Sequence, residues 1–141
     1  MDLERAVAWA AGRKHGVLIT IRGDGRAQSS DIVYCVVDGT FVISITEGRS
    51  KTRNLRRDPR AVLHVTEPSQ WSYVSFDGTV ELSAVTTDPT DDTSNALVDH
   101  YRAVAGADHD DWPAYRQAMI EERRLFATFR PGTAVGQINA A

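Results

Sequence analysis

The sequence predicts an α+β domain built on an antiparallel barrel of six or seven strands. Three Asp-Gly pairs, Asp24-Gly25, Asp38-Gly39 and Asp77-Gly78, stand between apolar runs. Such pairs favour tight hairpins because both central residues of the turn adopt positive φ readily. The runs beside them alternate with a period of two, and the longer helical patterns follow the fifth or sixth strand. Hairpins followed by grouped helices are typical of an α+β fold and exclude a doubly wound sheet.

Length, composition and charge predict one globular domain spanning residues 1–141. The 141 residues are 42% hydrophobic, which is enough to bury a core without disulfides or metals. Cys35 is the single cysteine, so no internal disulfide forms and nothing indicates an oxidising compartment. We expect a cytoplasmic protein with no membrane association, since no signal segment and no run of about 18 apolar residues is present. The net charge of -3 argues against a general nucleic-acid-binding protein.

The first half of the chain is predicted to hold one helix and three strands. Apolar residues recur at helical spacing over residues 2–14, with Asp2 as the N-cap. The hydrophobic period then changes to two. Strands are predicted over 16–22, 27–37 and 41–46, with turns at 23–25 and 38–39.

The second half is predicted to hold further hairpin strands, two helices and a last strand. Strands are predicted over 61–66, 71–76, 79–85 and 125–129, with turns at 67–70 and 77–78. Asp88, followed by Pro89, is predicted to open a helix that runs to about residue 105. Asp111 is predicted to cap a second helix, with Pro113 in its first turn. Residues from 131 onward are predicted to form an irregular tail.

A basic segment separates the third and fourth predicted strands. Residues 49–60 contain six of the sixteen Lys and Arg residues against a single Asp, in a chain of net charge -3. Ser50 is predicted as the N-cap of a short helix that ends before Pro59. Free N–H donors, Lys51 and Thr52 then meet at the start of the helix, which suits a phosphate or carboxylate. A solvated basic helix is the alternative interpretation.

No self-contained catalytic motif is present in the sequence. Gly23-Asp24-Gly25 lies in a hairpin and lacks the glycine spacing of a dinucleotide-binding turn, and no P-loop or nucleophile elbow occurs. The four histidines are scattered without metal-ligand spacing to Cys35, so no metal site is expected. Cys35 is interpreted as an inert core thiol. We therefore expect a bound cofactor to supply the chemistry of any reaction.

Several segments together resemble a known family of oxidoreductases. They are Gly-Val-Leu-Ile-Thr-Ile-Arg-Gly-Asp-Gly-Arg at 16–26, Lys-Thr-Arg-Asn-Leu-Arg-Arg-Asp-Pro-Arg at 51–60, Trp-Ser-Tyr at 71–73 and Asp-Trp-Pro-Ala-Tyr-Arg-Gln-Ala-Met at 111–119. The pattern is similar to the split β-barrel flavin and deazaflavin oxidoreductases of the pyridoxamine-phosphate-oxidase-like superfamily. More narrowly, it resembles the actinobacterial branch that uses the deazaflavin coenzyme F420. The resemblance covers nearly the whole chain and implies a Greek-key split barrel of the FMN-binding type with peripheral helices.

The resemblance also implies a homodimer with the coenzyme in a groove between the subunits. The phosphate and anionic tail of F420 would be held by Arg49, Lys51, Thr52, Arg53 and Asn54. Further cofactor contacts would come from Gln28, Ser29, Ser30, Ser44 and Ile45, with Trp71, Ser72 and Tyr73 lining the groove. The implied reaction is hydride transfer from reduced F420 to an electron-poor small molecule such as a quinone, an enone or lactone, or a tetrapyrrole. No general acid is identified, and Tyr73 is the one candidate for a catalytic group.

Other functions remain open at this point. FMN could occupy the same anion site, although cations beyond those that one phosphate needs favour the longer polyanionic tail of F420. A non-catalytic carrier of F420 or of a haem-derived ligand agrees with the missing acid–base group. Nucleic-acid binding is disfavoured because no aromatic residues are interleaved with the basic segment. Vitamin B6 oxidation is not expected, since the final residues, 137–141, lack the Arg-Leu segment that acts on that substrate in true pyridoxamine-phosphate oxidases.

Overall fold

Six antiparallel strands close into a barrel in the computed structural model, which describes residues 1–140. The strands are β1 (His15–Ile21), β2 (Ala27–Val37), β3 (Thr40–Thr46), β4 (Arg60–Glu67), β5 (Ser72–Leu82) and β6 (Arg124–Gln137). The helices are α1 (Leu3–Ala11), α2 (Ser50–Arg57), α3 (Asp92–Ala105) and α4 (Trp112–Glu121). The predicted α+β antiparallel barrel is confirmed, with the lower of the two predicted strand numbers.

The strands close in the order β1-β2-β3-β6-β5-β4, so β6 lies between β3 and β5 while β4 pairs with β1. Aromatic side chains fill the interior. The ring of Phe41 lies 5.1 Å from the rings of Tyr34 and Phe76 and 6.0 Å from that of Phe129, measured between centroids. All four side chains are fully buried. The inside of the barrel is therefore a packed core, and a ligand has to bind on its outer surface.

Helix α1 packs on the barrel through small side chains. Asp2 caps it as predicted, because its carboxylate accepts a hydrogen bond from the Arg5 N–H at 3.1 Å. Ala6 and Ala10 are fully buried, which brings the helix backbone close to the strands. The Tyr34 hydroxyl donates to the Ala10 carbonyl oxygen over 2.6 Å. This bond gives the polar group of the buried Tyr34 side chain a hydrogen-bond partner.

The third predicted hairpin, at Asp77-Gly78, does not exist. Both residues lie inside β5, which continues from Ser72 to Leu82. A Cβ atom on Gly78 would lie 2.2 Å from the carbonyl oxygen of Arg130 on the neighbouring strand. Glycine is needed here for a close approach of two backbones. An Asp-Gly pair in sequence does not distinguish that role from a turn.

The predicted irregular tail from residue 131 onward is also wrong, because β6 continues to Gln137 and pairs with β5 from Ala127 to Gln137. Gly78 is paired with Pro131 and Asp77 with Thr133, so Gly132 is an extra residue on β6. This bulge explains why a proline is accepted within the strand.

Two helices begin at residues other than those predicted. Ser50 is the first residue of α2, and Arg49 occupies the N-cap position without a side-chain hydrogen bond to the helix. The N-cap of α3 is Asp91 instead of Asp88, and its carboxylate accepts from the Ser94 N–H at 2.7 Å. Because Arg49 makes no capping hydrogen bond, the first N–H groups of α2 remain available to another acceptor.

Other predicted helix boundaries are confirmed, except that α1 ends at Ala11 and not at residue 14. Helix α2 ends at Arg57, with Asp58 as its C-cap before Pro59. Asp111 caps α4, and Pro113 lies in the first turn. None of the helices formed by residues 1–140 has the length and apolar character needed to cross a membrane.

Candidate functional site

A cleft of about 530 Å³ lies outside the barrel, where the start of α2 meets the outer faces of β2 and β3. Its lining residues are His15, Asp31, Ile32, Val33, Ser44, Ile45, Thr46, Arg49, Lys51, His100 and Arg124. We call it the cation cleft. Its size lies within the range of small-molecule sites.

Lys51 is the centre of positive charge in the cation cleft. Burial lowers the pKa of its ammonium group, and the charges of Arg49 and Arg124 lower it further. Among residues 1–140, no carboxylate lies within salt-bridge distance of Lys51 or Arg49, while Arg124 pairs with Glu122 at 2.9 Å. A bound anion would relieve the repulsion between these cations. The uncapped N-terminus of α2 adds a partial positive charge at the same place.

Thr52, which was expected to bind the anion, has its hydroxyl committed within the chain. Its Oγ1 donates to the Thr46 carbonyl oxygen over 2.7 Å, and its side chain is fully buried. Thr52 therefore fixes the connection between β3 and α2, and its side chain does not line the cation cleft.

Asn54 likewise holds the fold together. Its side chain is 5% exposed, and its Nδ2 donates to Thr20 Oγ1 at 3.1 Å and to Gln28 Oε1 at 3.0 Å. Its Oδ1 accepts from Arg57 at 2.9 Å. Asn54 and Gln28 thus join α2 to β1 and β2, and neither is among the residues that line the cleft.

The other four cations of the basic segment bind groups of their own chain. Arg53 donates to the Gly48 carbonyl oxygen and to Ser50 Oγ, Arg56 pairs with Glu47, Arg57 donates to Asn54 Oδ1, and Arg60 pairs with Asp58. The surplus of cations that was expected to favour a polyanionic tail is therefore mostly engaged. The number of basic residues does not by itself distinguish F420 from FMN.

The strand residues expected at the cofactor divide between the two faces of the barrel. Ser44 is half-buried on the outer face of β3 and lines the cation cleft. The Ile45 side chain is 1% exposed and lies in the core, so only its main chain reaches the cleft. Ser29 and Ser30 of β2 do not line the cleft, where Asp31 and Val33 of that strand stand instead.

Trp71, Ser72 and Tyr73 line a separate groove of about 560 Å³, together with His64, Thr66, Pro68 and Gln137. Trp71 is 83% exposed, so it is not a core residue. Tyr73 stacks on His64, with 5.7 Å between the ring centroids. The Ser72 hydroxyl is buried and accepts from the Asn139 N–H at 2.9 Å. Within one chain, this groove is distinct from the cation cleft.

The sequence interpretation missed His100 and Arg124, which come from α3 and β6 and line the cation cleft. Cys35 does not belong to the core as predicted, although burial keeps its thiol protonated and therefore unreactive. It is half-buried, and its Sγ lies 3.3 Å from Nδ1 of His100. Burial raises the pKa of the Cys35 thiol and lowers the pKa of the His100 imidazole, so both side chains are neutral at pH 7. No local pattern signals a contact between residues 65 positions apart.

Metal binding is not indicated by the part of the chain that the structure describes, where no three His, Cys, Asp or Glu side chains are grouped so as to hold an ion.

A family model described as pyridoxamine 5'-phosphate oxidase matches residues 3–130. The chain belongs to the pyridoxamine 5'-phosphate oxidase family. Members of this family bind flavins and include oxidases and reductases, and a cleft lined by Lys51, Arg49 and Arg124 fits the phosphate of such a cofactor.

Solved structures of similar proteins share the fold of this pyridoxamine 5'-phosphate oxidase family member. An F420 reductase is 23% identical with a TM-score of 0.65, covering 86% of this chain and 89% of its own. A conserved hypothetical protein from Mycobacterium tuberculosis is 22% identical with a TM-score of 0.74, covering 96% and 84%. A heme binding protein from Mycobacterium smegmatis is 21% identical with a TM-score of 0.67, covering 96% of this chain and 57% of its own. At these identities the likeness concerns the fold.

Proposed function

We propose that the protein is an oxidoreductase that binds the deazaflavin F420 in the cation cleft and reduces an electron-poor organic acceptor. The acceptor would be a quinone, an enone or lactone, or a tetrapyrrole. The observation that carries the proposal is the half-buried Lys51, which has two neighbouring arginines and no acidic partner among residues 1–140. The likeness of residues 16–26, 51–60 and 71–73 to the F420-dependent branch supports the choice of cofactor, as does the fold shared with an F420 reductase.

Lys51, Arg49 and the first N–H groups of α2 would hold the phosphate of the cofactor. Charge-assisted bonds at a helix start suit a group with several acceptor oxygens. Ser44 and the exposed main chain of β3 would lie beside the more apolar part of the cofactor, next to Val33. The protein's contribution is then to orient the cofactor and to exclude water from one side of it.

Reduced F420, when bound, supplies a hydride, and the acceptor gains a proton from solvent to complete its two-electron reduction. Within one chain, Tyr73 lies in the second groove and does not line the cation cleft. A catalytic role for Tyr73 therefore requires a second subunit that brings this groove against the cleft.

We infer that the protein forms such a homodimer. Val135 is 64% exposed and Tyr73 is 43% exposed, and both belong to the outer face of β5 and β6 beside Trp71. Contiguous exposed apolar side chains on a small domain are typical of an interface. In this arrangement, the groove of one subunit would complete the cofactor site of the other.

Two alternatives are favoured by particular observations. FMN suits a cleft in which only three cations line the wall, since its phosphate needs no more. A non-catalytic carrier of F420 or of a haem-derived ligand is favoured by the fold that this chain shares with a heme binding protein.

The test is a tryptophan fluorescence titration of the apo-protein with F420 and, separately, with FMN. The expected result is saturable quenching by F420 at low micromolar concentration, weakened about 10- to 100-fold in Lys51→Ala by the loss of a charge-assisted bond. Arg60→Gln is the matched control, because Arg60 is paired with Asp58 and does not line the cleft.

The outcomes separate the alternatives. Tighter binding of FMN than of F420 would support the cation cleft as the binding site but identify FMN as the cofactor. Equal affinity in wild type and Lys51→Ala would contradict the cation cleft as the binding site. Oxidation of reduced F420 by menadione, catalysed by the protein, distinguishes an enzyme from a carrier.

A further inference from the structure

A smaller hollow of about 300 Å³ opens beside the cation cleft, between α3, α4 and the outer faces of β2 and β3. Its lining residues are Val33, Ser44, His100, Tyr101, Val104, Ala105, Tyr115, Met119 and Arg124. We call it the aromatic pocket. Four of these residues, Val33, Ser44, His100 and Arg124, also line the cation cleft, so the two hollows share a wall.

The aromatic side chains that line the aromatic pocket are held in place by packing against one another and against Trp112. The rings of Tyr101 and Tyr115 lie 5.2 Å apart, and each packs edge-on against Trp112, at 5.6 and 5.5 Å. The Tyr115 hydroxyl donates to the Leu97 carbonyl oxygen over 3.1 Å, which fixes the orientation of this ring. Met119 also lines the pocket, and a methionine side chain adapts to different ligand shapes.

His100 lines both hollows and provides a hydrogen-bond donor at the boundary between them. The Cys35 thiol lies 3.3 Å from Nδ1 of His100. A protonated thiol donates to Nδ1, which places the imidazole proton on Nε2; the tautomer is assigned from this contact. Nε2 has no hydrogen-bond partner among residues 1–140, and it is not sealed from solvent. His100 thus offers a neutral N–H donor toward the hollows that it lines.

We propose that the aromatic pocket is the subsite for the acceptor, a planar apolar carbonyl compound of about the size of a naphthoquinone. Its ring would lie against the side chains of Tyr101, Tyr115 and Met119, and its carbonyl oxygen would accept from Nε2 of His100. The assignment of this ligand as an electron acceptor rests on the proposed function, whereas binding in the pocket does not. An anionic cofactor tail is a poor occupant, because Arg124, the one charged side chain among the lining residues, is already paired with Glu122 and the other walls are mostly apolar.

The first test measures binding of menadione to the apo-protein by isothermal titration calorimetry, without any cofactor. Ala105→Phe fills the mouth of the pocket, and Ala103→Phe is its matched control because Ala103 is exposed on the same helix and lines neither hollow. We expect Ala105→Phe to weaken menadione binding at least 10-fold, with Ala103→Phe and the affinity for FMN or F420 unchanged. Equal weakening in both Phe variants, or no binding to the wild type, would overturn the proposal.

The same measurements separate this proposal from the proposed function. If menadione binding depends on Ala105 but the protein binds neither F420 nor FMN, the aromatic pocket is supported as a binding site and the proposed oxidoreductase function is contradicted. A loss of F420 or FMN affinity in Ala105→Phe, with menadione unaffected, would assign the pocket to the cofactor and overturn its role as the acceptor subsite.

The second test concerns His100 itself. The ¹⁵N chemical shifts of its ring are expected to report protonation at Nε2, with His100→Ala weakening menadione binding about 3- to 10-fold, the range for one neutral hydrogen bond. Cys35→Ser keeps a donor to Nδ1 and should preserve both the tautomer and the affinity, whereas Cys35→Ala should lose the tautomer preference. Protonation at Nδ1 in the wild type would contradict the role assigned to His100.

Discussion

Asn54 Nδ2 donates a hydrogen bond to Oε1 of Gln28 over 3.0 Å, so two residues expected to bind a cofactor bind each other. The same amide group donates to Thr20 Oγ1, which is fully buried. Since α2 carries Lys51, this network determines where the cation cleft forms. The residues proposed to bind the ligand and those that position the helix lie in one segment, and mutating them is expected to have different effects.

Asn54→Ala is expected to destabilise the protein by about 2 kcal/mol, because it leaves the Thr20 hydroxyl, the Gln28 amide and the Arg57 guanidinium without a shared partner. Urea denaturation measures the change. Ser29→Ala, at an exposed position of β2, serves as the control and should stay within about 0.5 kcal/mol of the wild type. Unchanged stability together with a lost affinity for F420 or FMN would instead make Asn54 a ligand-binding residue.

Lys51→Met is expected to stabilise the apo-protein while weakening anion binding. The lowered pKa of Lys51 means that burial and neighbouring cations disfavour its charge in the fold. Removing that charge should raise the free energy of unfolding by on the order of 0.5 kcal/mol. Thermal unfolding without FMN measures the change in stability, and the shift in unfolding temperature when FMN is added measures the change in anion binding. A variant that is less stable than the wild type would contradict the repulsion assigned to Lys51, Arg49 and Arg124.

Stability should fall as the pH is lowered below about 6.5, in part because of His100. Burial lowers its pKa in the folded protein, so near and below pH 6.5 the unfolded chain binds more protons than the native state. The native state loses stability through this window until the pH falls below the folded pKa. The ionisable groups that face His100 are Cys35 beside it, His15, Asp31, Arg49, Lys51 and Arg124 in the cation cleft, and Tyr101 and Tyr115 in the aromatic pocket. Asp31 is the one carboxylate among them; it is exposed, and burial of the imidazole is the cause of the lowered pKa.

His100→Gln should reduce this pH dependence between pH 7 and 5, as measured by urea denaturation across the range. His15→Gln replaces an exposed histidine of β1 and is the control. If both variants retain the full slope of the wild type, the acid sensitivity comes from other groups.

Gly78→Ala is expected to destabilise the protein by about 3 kcal/mol, the upper part of the usual range for overpacking. The added Cβ would lie 2.2 Å from the Arg130 carbonyl oxygen, in a region where neither backbone is free to move apart. Gly12→Ala is the matched control, since its Cβ would meet nothing closer than 3.6 Å and its φ is -81°. A hairpin at residues 77–78 would tolerate the first substitution far better.

Val135→Glu is expected to shift the protein from dimer to monomer without loss of the fold. Val135 is 64% exposed in the single chain, so a carboxylate there is solvated in the monomer but desolvated at an apolar interface. Light scattering measures the assembly and far-UV circular dichroism the fold. Asp38→Lys, at an exposed turn, changes charge elsewhere on the surface and controls for it. A wild-type protein that is monomeric at high concentration would contradict the shared groove.

The sequence alone determined the strands with clear alternation, the true hairpin turns at 24–25 and 38–39, and the helix ends at Asp2, Asp58 and Asp111. These features depend on residues a few positions apart, whose backbone preferences are local. The basic segment was recognisable for the same reason, because its charge is a property of consecutive residues. The whole-chain pattern was also enough to indicate the family.

The tertiary structure decided which of these residues are available to a ligand. Arg53, Arg56, Arg57 and Arg60 are as basic as Lys51, but composition does not show that each of them is engaged by a nearby group of the chain. Gly78 has the sequence signal of a turn and is instead required by a neighbouring strand. Cys35 meets His100 from 65 positions away. The contacts of Gly78 and Cys35 depend on strand register and helix placement, which arise from packing of the whole barrel and not from any local run of residues.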